Sequence, residues 1–188
     1  GAAGPRRNVI RKISSDLWWR DAIVYCLDVQ TFLDTDGDGH GDFGGVIERM
    51  DYLAGMGVTC MWPMPFFPSA ARDDGYDITD FYSVDPRLGT LGDFTEMVRT
   101  ASDRGIRVVA DLVVNHTSVE HPWFQSARSS PDSPYRDWYV WSAEKPREEP
   151  GDVVFPDQED SNWAYDEAAG QWYLHRFYTE QPDLNVAN

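Results

Sequence analysis

Four aspartates punctuate the run DTDGDGHGD. Asp34, Asp36, Asp38 and Asp42 occupy positions one, three, five and nine of a calcium-loop pattern, with Gly39 at position six. Hard carboxylate oxygens at that spacing suit calcium. Position twelve is Gly45 where the pattern would place a bidentate glutamate, and a strand-like run leads in where a helix would stand, so this is not an EF-hand. The alternative is an acidic solvated turn, in which these carboxylates would repel one another without a cation. Two other runs hold residues able to do chemistry. RDDGYDITDFY carries Asp73, Tyr76 and Asp77, and DLVVNH begins with Asp111 and ends in Asn115 and His116. Taken singly, Tyr76 in a Gly-Tyr turn reads as packing, and His116 at a strand end reads as a structural histidine.

The elements that must carry these runs follow from hydrophobic periodicity. Ala22 to Phe32 is β-branched and aromatic-rich, and it predicts a buried strand. Phe43, Val46, Ile47, Met50, Leu53, Ala54 and Gly57 fall on one stripe at spacings of three and four, which predicts a helix stopped by Gly55 and Gly57. A second strand is expected over Val58 to Met64. Thr90 and Asp93 form a capping-box pattern ahead of Leu91, Phe94, Met97, Val98 and Ala101, and Gly105 ends that helix. The near-continuous apolar run from Ile106 to Val114 predicts a strand buried on both faces of a parallel sheet. The order is β-α-β-α-β. Beyond His116 the alternation stops, no stripe long enough to continue the helical pattern appears, and short β-like runs at Tyr139 to Trp141, Val153 to Phe155 and Gln171 to Tyr178 suggest an irregular β-rich domain.

Composition narrows the partners. The 188 residues are 41% hydrophobic and 14% aromatic, which is enough to build a core. A net charge of -16 would repel phosphate backbones and anionic membranes, leaving a neutral ligand or a cation. The basic start GAAGPRRNVIRKISSD has no apolar signal core, and no run is long enough for a membrane helix, so a cytoplasmic location is expected. Cys26 and Cys60, both in apolar runs, are expected to be buried free thiols.

Taken together, GVTCMWPMPFFPSA, DDGYDITDFY, DLVVNHTS and QPDLN, in this order and spacing, resemble the α-amylase family of glycoside hydrolases, and within it the trehalose synthases and oligo-1,6-glucosidases. The resemblance runs from about Leu17 to the last residue. It implies a (β/α)8 TIM barrel, of which residues 22–116 would supply the first three strands and two helices after an extension over 1–21. Residues 117–188 would be the irregular β-rich B domain inserted after the third strand. It also implies that Asp111 pairs with an arginine beside the nucleophile, that His116 hydrogen-bonds the sugar at the cleavage subsite, and that Asn115 braces the following loop. Tyr76 would be the aromatic platform under that sugar, and Asp73 would cap the non-reducing end. The chemistry agrees, since a tyrosine face suits pyranose C–H groups and a carboxylate can accept two hydroxyls. Asp77 would be a structural partner. The acidic loop matches the family's calcium loop, with the backbone carbonyl of His40 as a further ligand beside Asp34, Asp36, Asp38 and Asp42.

Two residues depart from the family pattern. Pro63 stands where an aliphatic residue is usual and puts strand pairing in doubt, and the NVAN ending departs from the trehalose synthase pattern. The family draws its two catalytic carboxylates from the fourth and fifth strands, so no nucleophile or acid/base residue is assigned here, and the isolated chain is expected to be inactive. The leading expectation is a retaining hydrolase of malto- or isomalto-oligosaccharides. The alternative is an isomerase interconverting maltose and trehalose, and an alternative of another class is a non-catalytic relative with an interaction role.

Overall fold

The computed structural model describes residues 17–149 and 151–188, so most of the expected extension over 1–21 lies outside the described residues. The chain divides into two compact units. One ends at Met64 and resumes over Pro86–Asp111; the other comprises Pro65–Asp85 and Leu112–Asn188.

In the first unit, β1 (Val24–Leu27), β2 (Cys60–Pro63) and β3 (Arg107–Val108) form a parallel sheet in the order β1-β2-β3. Parallel neighbours need crossover connections, and helices supply them. Between β1 and β2 the chain forms α1 (Val29–Phe32), α2 (Phe43–Glu48) and α3 (Met50–Gly55), and between β2 and β3 it forms α4 (Leu91–Asp103). The periodic apolar residues make the core. Phe43, Val46, Met50 and Leu53 are fully buried, as are Met61, Met97 and Ala101. Phe43 meets Phe94 edge to face at 5.6 Å, which docks α2 on α4. The Thr90 capping box is present, with Asp93 N donating to the Thr90 hydroxyl and Thr90 N to the Asp93 carboxylate at 2.8 Å.

Several expected bounds are corrected. The first strand stops at Leu27 because Asp28 accepts from Gln30 N and starts α1, so Val29 to Phe32 are helical. The single stripe from Phe43 is broken at Arg49, whose ψ of 4° leaves the helix, although its N–H still reaches the Gly45 carbonyl. The third strand is only two residues long. Val109 N extends the ladder to the Met61 carbonyl, but Val109 is exposed, as are Leu112 and Val114 beyond the strand, so the run is not buried on both faces. Cys60 is buried, whereas Cys26 is exposed on β1, the other edge of the same sheet; both are free thiols. Pro63 pairs with Leu27. Cys60 N and Met64 N both donate toward β1, to Ile23 and Leu27, so by strand alternation the missing Pro63 donor falls on the β3 side, beyond the last pair Met61–Val108.

The second unit has its own core of Phe124, Ala127, Tyr139 and Tyr173. α5 (Pro122–Ser129) was not anticipated; His121 caps it by accepting from Trp123 N, with proline at the first position. β4 (Trp141–Ser142), β5 (Trp163–Asp166) and β6 (Gln171–Leu174) form an antiparallel sheet in the order β4-β6-β5. Val153 to Phe155 is not a strand, Tyr139 makes only an isolated bridge to Leu184, and β6 ends at Leu174 rather than Tyr178. The β5–β6 hairpin was legible in retrospect. Asp166 accepts from Ala169 N, and Gly170 takes the positive φ (64°) that closes the turn.

Two glycines of the first unit make opposite predictions. A Cβ on Gly45 would lie 2.1 Å from the Leu33 carbonyl oxygen, so Gly45→Ala is expected to cost roughly 1–3 kcal/mol by forcing backbone apart. A Cβ on Gly55 meets nothing within 4 Å, so Gly55→Ala is expected to gain about 0.5 kcal/mol from a less flexible unfolded chain. Denaturant titration of the two variants checks both signs; equal effects would contradict the packing described.

Candidate functional site

The acidic loop is built by backbone amides. Gly41 N donates to the Gln30 carbonyl at 2.6 Å and Asp42 N to the Leu33 carbonyl at 3.0 Å, which closes the base of the loop. Gly37 (φ 83°) and Gly39 (φ 94°) occupy the left-handed region, and both point their N–H groups at the Asp34 carboxylate, at 2.7 and 2.9 Å. Asp42 caps α2 through Gly45 N at 2.7 Å while holding both the N–H and the hydroxyl of Thr35 at 2.8 Å. One carboxylate oxygen from each of Asp34, Asp36 and Asp42 lies within 4.8 Å of the others. The Asp38 carboxylate, which accepts from His40 N at 2.7 Å, is not in this group, so three of the four expected aspartates converge.

Backbone donors favour the ionised form of two of these carboxyls, Asp34 and Asp42. The amides of Gly37 and Gly39 hold the Asp34 carboxyl below its ordinary value. Burial pushes Asp42 upward, but the donors of Thr35 and Gly45 outweigh it, and the net shift is also downward. Three oxygens of like charge gathered at one place are a donor set suited to a hard divalent cation.

In the second unit, the turn carrying Asp73 and Tyr76 is moulded around Asp77. Asp77 is fully buried, accepts from the amides of Arg72 (3.0 Å) and Asp73 (3.3 Å), and is pushed upward in pKa by burial. Gly75 is required there, with φ of 89° and a Cβ position 2.5 Å from the Pro65 carbonyl oxygen. Tyr76 N closes the turn on the Asp73 carbonyl at 2.7 Å, and its side chain is half-buried.

His116 is 4% exposed and bonded through both ring nitrogens. Because a carbonyl can only accept, Nε2 carries the proton and donates to the Tyr76 carbonyl at 3.2 Å, while Nδ1 accepts from the Asn115 amide at 3.2 Å. The ring packs on Phe177 at 5.3 Å, and burial lowers its pKa, so the imidazole is neutral at pH 7. The chain after His116 runs antiparallel to QPDL: Thr117 N donates to the Pro182 carbonyl, Val119 N to Glu180 and Leu184 N to Asn115. That pairing brings two residues whose roles sequence reasoning missed. Asp183, 4% exposed, accepts from Asn115 at 3.1 Å, and Gln181, 1% exposed, donates to the Asp73 carboxylate at 2.6 Å. The QPDLN run stood out in the sequence, but nothing in it told which of its polar residues turn inward. Asp111 belongs to the first unit, where its carboxylate accepts from Trp62 Nε1 at 2.9 Å. No helix among the described residues is long and apolar enough to cross a membrane.

Residues 28–188 match the family model described as alpha amylase, catalytic domain. The chain is 52% identical over 169 residues to a trehalose synthase of Thermus thermophilus, covering 90% of this chain and 17% of that protein. It is 46% identical over 171 residues to an oligo-1,6-glucosidase of Heyndrickxia coagulans, covering 91% of this chain and 31% of that protein. The crystal structure of trehalose-6-phosphate hydrolase from Bacillus licheniformis superposes with a TM-score of 0.81 at 42% identity, over 91% of this chain and 31% of that one. The chain thus spans a third or less of the length of these relatives.

The depressed carboxyls of the acidic loop carry a pH signature. Asp42 has a folded pKa below its unfolded value of about 3.9, so the stability it contributes is fully present above that value and is lost as pH falls through the folded one. Asp42→Ala is expected to cost about 1–2 kcal/mol near neutral pH through the lost helix cap, with the difference from the parent narrowing below about pH 4. Urea titrations at both pH values check it; a penalty independent of pH would contradict the ionised, amide-bound carboxylate.

Proposed function

The chain belongs to the α-amylase family of glycoside hydrolases, and on that premise we propose that the whole protein breaks α-glucosidic bonds with retention of configuration. The family implies a (β/α)8 barrel, and the parallel β1-β2-β3 sheet with its crossover helices is read as the start of it. The second unit is read as containing the inserted B domain. The observation that carries the proposal is the tie between the Asp73–Tyr76 turn and His116, with a ring face, a carboxylate and an imidazole N–H held in one unit by Gly75, Asp77 and Gln181. In a sugar subsite, Tyr76 would stack on the pyranose and Asp73 would accept hydroxyls of the terminal unit. The Nε2–H of His116, already on the Tyr76 carbonyl, would share its proton with a sugar oxygen in a three-centre bond. Asp111 would support the nucleophile through an arginine beside it.

Retention requires a nucleophile and an acid/base carboxyl about 5–5.5 Å apart, and neither role is assigned to any residue here. Hydrolysis and isomerisation differ only in what attacks the glycosyl intermediate, water or the retained sugar. The higher identity to a trehalose synthase (52%) than to an oligo-1,6-glucosidase (46%) favours the rearrangement of maltose to trehalose as the second reading to test. The carboxylates of Asp34, Asp36 and Asp42 would hold a structural calcium ion, which binding to the folded form alone would make stabilising. A cytoplasmic location remains our reading, in keeping with two unpaired cysteines.

Three measurements on the full-length protein check this. Incubation with maltose and with isomaltose is expected to form trehalose or glucose; the absence of both products with both sugars sinks the enzymatic reading, and glucose alone selects the hydrolase. Calcium is expected to raise the melting temperature and chelation to lower it, with Asp34→Ala abolishing the response; a response unchanged in that variant removes the assignment. His116→Ala is expected to lower kcat/KM by about 2–4 kcal/mol, the scale of losing one oriented active-site donor, and unaltered kcat/KM in a folded variant would return His116 to a purely structural role.

A further inference from the structure

Gln181 stands 108 residues from Asp73, and its amide donates to Oδ2 of that carboxylate at 2.6 Å. It is 1% exposed, on a segment fixed by Gln181 N to the Tyr178 carbonyl and by Val119 N to the Glu180 carbonyl. Asp73 is otherwise anchored through its backbone, its N–H on Asp77 and its carbonyl on Tyr76 N, so the turn fixes where the residue sits and Gln181 fixes where the carboxylate points. The donor is neutral. A lysine or arginine in its place would neutralise the carboxylate and compete for both oxygens, whereas an amide engages one oxygen and leaves Asp73 its charge.

We propose that Gln181 is a positioning and specificity residue, which orients the Asp73 carboxylate so that Oδ1 is presented to a hydroxyl of the terminal sugar. The inference rests on the reading of Asp73 as a sugar-binding residue. A carboxylate held by one oxygen accepts from a hydroxyl in a narrow range of directions, so it distinguishes an equatorial hydroxyl from its axial epimer. Freed from Gln181, it rotates and loses that selection. Gln181 therefore acts through Asp73, not on the reacting atoms.

The test uses the full-length protein with 4-nitrophenyl α-glucoside and its galactoside epimer. Gln181→Met keeps the side-chain length and removes the donor; Gln181→Glu keeps the shape and sets an acceptor of like charge against Asp73. Each is expected to lower kcat/KM for the glucoside by roughly 10- to 100-fold, the scale of a hydrogen bond to a charged group, to act more on KM than on kcat, and to narrow the preference over the galactoside. If one variant fails to fold, the other carries the test. In an Asp73→Ala background, Gln181→Met is expected to change kcat/KM by less than about twofold, because the two residues act as one unit. If Asp73→Ala is damaging while both Gln181 variants keep the parent's kcat/KM and preference, the inference is overturned and the subsite reading stands. If Asp73→Ala leaves kcat/KM unchanged, the subsite reading falls, and the inference falls with it.

Discussion

The hydrogen bond from His116 Nε2 to the Tyr76 carbonyl links two segments 40 residues apart, and the second unit's polar interior is organised around it. The buried His116 imidazole has both nitrogens bonded, which avoids the cost of an unpaired polar atom. Satisfying Nδ1 recruits Asn115, Asn115 recruits Asp183, and Asp183 is reached because the segment after His116 pairs with QPDL. That pairing seats Gln181 against Asp73. A chain of satisfied buried polar groups thus fixes the turn from both ends, Asp77 inside it and His116 outside. Asp77 and Asp183 are both raised in pKa by burial, and both escape isolation by accepting backbone amides.

The acidic loop solves a different problem with the same means. Carboxylates drawn together repel, and here the opposing charge density comes from backbone N–H groups turned inward by two glycines and from the first turn of α2. Helix start, loop closure and oxygen cluster are therefore one object. Thr35 is the residue that joins them, through two bonds to Asp42.

How much of this was legible depended on whether the signal was local. The parallel order, the Thr90 capping box and the core stripes of α2 to α4 follow from spacing, which a sequence displays directly. The strand after Ala22 was overextended because Val29 to Phe32 are as apolar in a helix as in a strand, and only the capping behaviour of Asp28 separates the two. α5 escaped notice because two turns are too short for a periodic stripe, and its His121 cap is not a residue type that announces a helix. At the site, Asp73, Tyr76 and His116 stood out through motif resemblance, and the ties from Gln181 and Asp183 did not, since a buried amide or carboxylate carries no local mark of its distant partner. Asp38 fitted the ligand spacing, but its carboxylate is not among the three that converge.

We propose that the Asp73–Tyr76 turn and His116 form a sugar subsite. A crystal structure of the full-length protein soaked with glucose tests it most directly. The account predicts a hexose with its ring on the Tyr76 face, a hydroxyl on Asp73 Oδ1 and an oxygen within hydrogen-bond reach of His116 Nε2. A hexose bound elsewhere, with Asp73 contacting only Gln181 and solvent and the Tyr76 face bare, would contradict it.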